Sequence, residues 1–272
     1  MTSTLLLATL RLGKLGSIAM AAGTGLYAVL IVAMFPSIGD MEELQDYMEA
    51  LPEQMMAMFG LEDTSQLFTS GIITFEGFLS TEYFFLWPLV LTIYALATGS
   101  GLASRELERG TLDVLLSHPI RRYRLLLAKI GAYTAVFAGL AFVSFLAILL
   151  PVMFIDVDPH IGRLVAAHGV GALMVLAIFA YATFLSVMYL SSGKALVAAG
   201  GVTLLMYIMD IAGGIVDSIE FVQYGSLFNY FDAFEILNKG TIDVVGVAVF
   251  IAVAGGFGAG SLAMFERRDL VN

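Results

Sequence analysis

The chain has 272 residues, of which 59% are hydrophobic and 13% charged, with a mean hydropathy of +0.90 and a net charge of −10. A soluble domain of this size carries about a quarter charged residues, so this composition excludes a water-solvated globule and calls for lipid as solvent. The absence of cysteine excludes disulfides, thiolate metal sites and Cys nucleophiles, and the acidic balance argues against a nucleic-acid partner.

Arg11 and Lys14 precede the first apolar run, residues 17–36. At about 20 residues it is long enough to cross about 30 Å of hydrocarbon, and no small-residue cleavage site follows it, so it reads as a retained span. A polar stretch, 37–82, follows, with an amphipathic helix expected in MEELQDYMEALPEQMMAMFG. Its Met55, Met56 and Met58 have no Cys or His nearby and read as an adaptable apolar face, not a soft-metal box.

The next runs are 83–103 and 125–155. The second of these is overlong, so it should tilt or emerge before Pro151. Further runs cover 164–190, 195–216 and 244–265. None alternates apolar with polar residues as barrel strands do, so the fold class is an all-α integral membrane protein of six spans in a single transmembrane domain, 1–272.

Basic residues set the expected orientation. With both termini inside, the inner segments hold eleven of the 13 basic residues against five acidic ones, a net of +6. The outer segments hold two basic and seventeen acidic residues, a net of −15, and Asp210 falls within the fifth span.

The inner loop, 104–124, should begin as a continuation of the second span through Arg105, Glu106, Glu108 and Arg109. Gly110 should break that helix. Thr111 suits an N-cap, Asp113 its first turn, and Leu112, Leu115 and Leu116 one apolar face of a short helix that Pro119 ends. Such a helix can dock its leucine face in a groove on a cytoplasmic partner, or lie on the lipid headgroups as an ordinary basic juxtamembrane loop. The outer segment 217–243 is half apolar and aromatic, and should re-enter or lie along the outer leaflet.

The string ERGTLDVLLSHPIRR, with a Lys a few residues later, resembles the inner loop of the ABC-2 permease family. The matching positions are Glu106 or Glu108, Gly110, Thr111, Leu115, Leu116, Ser117, Pro119, Arg121, Arg122 and Lys129. The six-span layout and large first outer loop also fit. The resemblance implies that two permease copies, or two similar permeases, pair in the membrane and engage two copies of a separate ATPase subunit. It implies that Glu106, Glu108, Arg109, Gly110, Thr111, Leu112, Leu115, Leu116, Ser117, Pro119, Arg121 and Arg122 form the ATPase-coupling element. It further implies that 217–243 is a re-entrant hairpin and that transport is outward, across the plasma membrane of a prokaryote. The family's amphipathic helix before the first span has only Met1–Leu15 to occupy here.

No Walker A loop is present. Near Gly193-Lys194 the required glycine is Met188 and the required Ser or Thr is Ala195, so this chain is not expected to be an enzyme. ATP and magnesium are expected in the partner, with no cofactor here. His118, His160 and His168 lack metal-ligand spacing. Gly256 and Gly260 suggest a close helix contact. Asp210 is costly at mid-span. It either lines a substrate path or gate, or sits near the outer end, wetted by the next loop, with Gly213 and Gly214 loosening the helix there. The alternatives are a secondary transporter or channel without an ATPase, which should show more intramembrane charges, and a non-transporting membrane scaffold.

Overall fold

The protein is described by a computed structural model covering residues 2–38, 74–108, 110, 122–155 and 157–268. Apolar chain in hydrocarbon must satisfy every backbone N–H and C=O internally, and among the described residues it does so with helices and no strand. Six helices are long and apolar enough to span a membrane. The amphipathic stretch in 41–60, the methionine cluster and 111–121 lie outside the described residues.

Helix α1 is Thr2–Met34 and continues into a tight turn at Phe35–Ile38. The short surface helix expected before the first span does not separate from it. The backbone stays helical through Gly13 and Gly16, which face the hydroxyls of Tyr133 and Tyr94.

Helix α2, Phe75–Gly99, begins eight residues before the apolar run suggests. Thr74 caps it, its Oγ1 accepting from the Gly77 amide at 3.0 Å, and Glu76 sits in the first turn where a negative charge is favoured. A wide π-turn at Leu79–Tyr83 interrupts it.

The continuation of α2 through Arg105 to Arg109 is not what forms. The helix stops at Gly99, turns over Ser100–Ala103, and restarts as α3, Ser104–Glu108. Gly99, Ser100 and Gly101 supply the weak helix propensity at that point. The freed backbone groups are covered by neighbours. Ser186 Oγ accepts from the amides of Ala103 and Ser104 at 3.2 and 3.3 Å, and Lys129 Nζ donates to the Leu102 carbonyl at 2.9 Å. Gly110 then adopts a positive φ of 66°, the helix-ending conformation expected of it.

Helix α4 is Arg122–Val152 and carries Pro151 inside its last turn. It does not stop before the proline but runs one residue past it, to Val152. Helices α5, α6 and α7 are Ile161–Tyr189, Ser192–Ile215 and Val244–Arg267.

α1 runs beside α4 in the same direction, with Gly13 near Tyr133 and Gly25 near Ala147, and against α2, with Ser17 Oγ 2.9 Å from Tyr94 Oη. α5 is the central helix. Its apolar window is 72% buried, against 17% for α6 and for α7. It packs on α2 through Trp87 and on α7 through Phe184 and Phe257, and bonds α6 through the Tyr181 and Thr203 hydroxyls. Of the two small residues on α7, Gly260 meets the Phe184 ring and Gly256 faces open space, so the pair does not act as one contact.

The alternation of spans brings the start of α1, the end of α7, α3 and the α5–α6 turn to one end of the bundle, called here the near end. The far end holds Thr74, His160 and residues 217–243. There Gly213 does not loosen α6, which runs on to Ile215. It lets the backbone at Glu220 and the Gln223 side chain approach, both about 3.2 Å from where its Cβ would be.

Candidate functional site

At the near end, two stems of the inner loop are fixed. Glu108 accepts from the Ser192 amide at 2.8 Å and the Ser192 hydroxyl at 2.6 Å, which ties α3 to the N-terminus of α6. These bonds, the hydroxyl's first and the amide's next, hold the Glu108 carboxyl below the usual carboxylate range. On the other stem, Arg122 donates to the Arg268 carbonyl at 2.6 Å, and the Tyr123 amide donates to Glu266 at 3.0 Å. Arg268 in turn donates to the carbonyls of Val187 and Met188 at the end of α5. Of the residues expected in the coupling element, Glu108, Gly110 and Arg122 are thus placed together at one end. The backbone of Glu106 lies in α3. Arg109, Thr111, Leu112, Leu115, Leu116, Ser117, Pro119 and Arg121 lie outside the described residues.

About two turns below the start of α5 the bundle interior is aromatic. His168 sits with its ring 4.9 Å from Phe84, 5.1 Å from Trp87 and 5.8 Å from Tyr83, centroid to centroid. Its Nδ1 lies 2.8 Å from the Leu164 carbonyl, which can only accept, so Nδ1 carries a proton and donates. Trp87 Nε1 donates to Ser144 at 2.9 Å, which locks α2 to α4. Sequence reading saw His168 only as a failed metal ligand. A histidine inside an apolar run is itself the signal for a buried polar contact.

The far end is built by the segment after α6. Residues Asp217–Gly225 form a broken 3₁₀ stretch that folds back along α6, where Gln223 Nε2 donates to the Gly213 carbonyl at 3.4 Å and Gly225 approaches Met209. Phe228 reaches Tyr207, ring centroids 5.4 Å apart. Since Tyr207 precedes the end of α6 by about two turns, the segment descends about 12 Å beside it. It returns through the π-turn Glu235–Lys239 to the start of α7, where Asp243 caps the Val245 amide at 2.9 Å. The segment thus folds back beside α6 before it reaches α7, the path that a re-entrant hairpin would take.

Arg163 pins that path to α5, with Nη1 donating to the Leu237 and Asn238 carbonyls at 3.0 and 2.6 Å. Thr74 donates to Asn238 at 3.1 Å, and Glu76 lies 3.1 Å from His160 Nδ1. Glu235 pairs with Lys239 at 2.5 Å and raises its pKa, but the pair is exposed and stabilises little.

Between α2, α6 and the re-entrant segment lies a cavity of about 560 Å³. Asp210 lines it and is half-buried, about one and a half turns before the end of α6. Asp210 is therefore near the helix end and on the wall of an open cavity. Asp232, from the re-entrant segment, lines the same cavity. Among the described residues no group of three His, Asp or Glu side chains is arranged to hold a metal ion.

A family model described as ABC-2 family transporter protein matches residues 1–270. No curated protein and no solved structure matches the chain.

Proposed function

The chain belongs to the ABC-2 transporter family, as the membrane-spanning permease of an ABC-type transporter, and from that premise we propose that it is one half of an exporter driven by a separate ATPase. The family match over residues 1–270 carries this reading. Six spanning helices make it a multi-pass membrane protein, and a family of this kind generally works with an ATPase partner. This chain supplies the path and not the catalysis.

In this reading the near end faces the cytoplasm of a prokaryotic cell, as the excess of Lys and Arg there favours. Two ATPase subunits, which bind ATP and Mg²⁺, close on each other and displace the loop around Leu112–Ser117 of each permease copy. Two copies of this chain, or this chain and a similar one, enclose the path. The loop's stems support a mechanical role. Glu108 is tied to α6, and Arg122 is tied to the end of α7 at Arg268, which is bonded to the end of α5. A displacement of the stems therefore reaches three helices beyond the ones that flank the loop.

The test is co-purification with the co-expressed ATPase. The Leu115→Asp/Leu116→Asp double variant should reach the membrane in a folded state and lose the ATPase. Retention of the ATPase at the wild-type level by the folded variant overturns the docking claim.

A further inference from the structure

The cavity at the far end carries a chemical pattern that its place in a permease does not require. Among the described residues its wall holds two carboxylates, Asp210 and Asp232, and no Lys, Arg or His. Asp210 makes no hydrogen bond among the described residues, and one Asp232 oxygen is occupied by the Glu235 amide at 3.0 Å. Around the carboxylates stand Phe84, Phe85, Tyr207, Phe228, Phe231 and Phe234.

Each class of solute meets this wall differently. An anion would face two carboxylates, and the nearest cation in range of either, Lys239 beside Asp232, stands outside the wall and is already paired with Glu235. A neutral apolar solute would leave Asp210 desolvated and unpaired, which costs free energy. A bare metal ion would need at least three converging ligands, and none are grouped there among the described residues. A cation with an apolar body satisfies all the features at once. Its charge pairs with the carboxylates and lies over aromatic faces, and its body fills a space of the size that holds drug-like molecules.

We propose that this cavity binds a lipophilic organic cation, a single ammonium or phosphonium centre on an apolar or aromatic body, and that this is the class of cargo the permease carries. The cargo part of the inference rests on the exporter reading. The binding part does not.

The probe is tetraphenylphosphonium, with tetraphenylborate as its counterpart of the same shape and opposite charge. Equilibrium binding is measured on the full chain in neutral-lipid nanodiscs, without ATPase or nucleotide. Wild type should bind the phosphonium saturably and the borate only as the empty nanodiscs do. Asp210→Asn, nearly isosteric, should weaken phosphonium binding about tenfold, the scale of one partly screened ion pair. Asp232→Asn should weaken it less, because one of its oxygens is already engaged. Asp210→Glu should restore most of the affinity. Equal saturable binding of phosphonium and borate by wild type, or undiminished phosphonium binding by Asp210→Asn, overturns the proposal. The borate comparison needs no variant, so misfolding of a mutant cannot mask the result. Loss of this binding with an intact ATPase pulldown removes the cavity claim alone. Binding by a chain that associates with no ATPase removes the exporter reading alone.

Discussion

Gly171, about a third of the way along α5, lies where the central helix meets both Trp87 of α2 and Phe231 of the segment after α6, and replacing it with alanine should destabilise the protein by about 1–2 kcal/mol. A methyl group there would stand 2.7 Å from Trp87 Cζ3 and 3.3 Å from Phe231. The first distance is about 0.7 Å inside ordinary contact, so something must move. The Trp87 ring is the least able to do so, since it is fully buried and its Nε1 is bonded to Ser144 at 2.9 Å. Overpacking of this kind costs about 1–3 kcal/mol. Against it, alanine gains about 0.5–1 kcal/mol over glycine in a helix interior. Packing wins, and the midpoint of thermal unfolding should fall by about 2–8 °C. Trp87 is the single tryptophan, so its emission in detergent reports the site directly. Gly139→Ala provides the internal control, because a Cβ there meets nothing within 4 Å, and it should leave stability unchanged or slightly raised. If Gly171→Ala is as stable as Gly139→Ala, with the same Trp87 emission as wild type, the packing argument for α5 is refuted.

Two further outcomes follow from the stems and the re-entrant path. The Glu108 clamp forms with the carboxylate, whose folded-state pKa lies below its unfolded value, so its contribution is present above the ordinary carboxylate range and is lost as pH falls through the lowered value. Spin labels at positions 107 and 194, straightforward in a chain without cysteine, should show one short distance at neutral pH that broadens in acid, and a broad distribution at every pH in Glu108→Ala. A wild-type distance that does not respond to acid counts against the clamp. Arg163→Ala strands the carbonyls of Leu237 and Asn238, a loss of about 1–3 kcal/mol. Limited proteolysis across 237–243 should speed up, with Arg163→Lys intermediate, and an unchanged cleavage rate would mean that Arg163 does not hold the segment.

The six spans were legible because an apolar run of about 20 residues has few other solutions in a membrane protein. The ABC-2 resemblance was legible in one short string, most of which lies outside the described residues. The break after Gly99 was written in Gly99, Ser100 and Gly101, but the charged pattern from Arg105 to Arg109 looked enough like a helix surface to hide it. α1 shows a different limit, since the resemblance implied a surface helix with only Met1–Leu15 to form it, and there the backbone simply continues. The aromatic wealth of 217–243 left two readings, re-entry or a path along the outer leaflet, and the fold-back beside α6 could not be read from composition. The cavity was not legible. Asp210 and Asp232 belong to different elements, and only the fold-back of the chain between them brings both to one wall.

The helices also differ in length in a way that shapes the far rim. Contacts of Tyr181 with Thr203 and of Phe184 with Phe257 set the relative heights of α5, α6 and α7. On that register α6 ends, and α7 begins, about eight residues or about 12 Å below the start of α5. Among the described residues the far rim is therefore stepped: α5 overtops α6 and α7, and the segment between them climbs from beside Tyr207 to residues 237–238, which Arg163 holds near the start of α5. Phe221 and Tyr224, in that segment, are 69% and 61% exposed, as aromatic anchors at a membrane surface are.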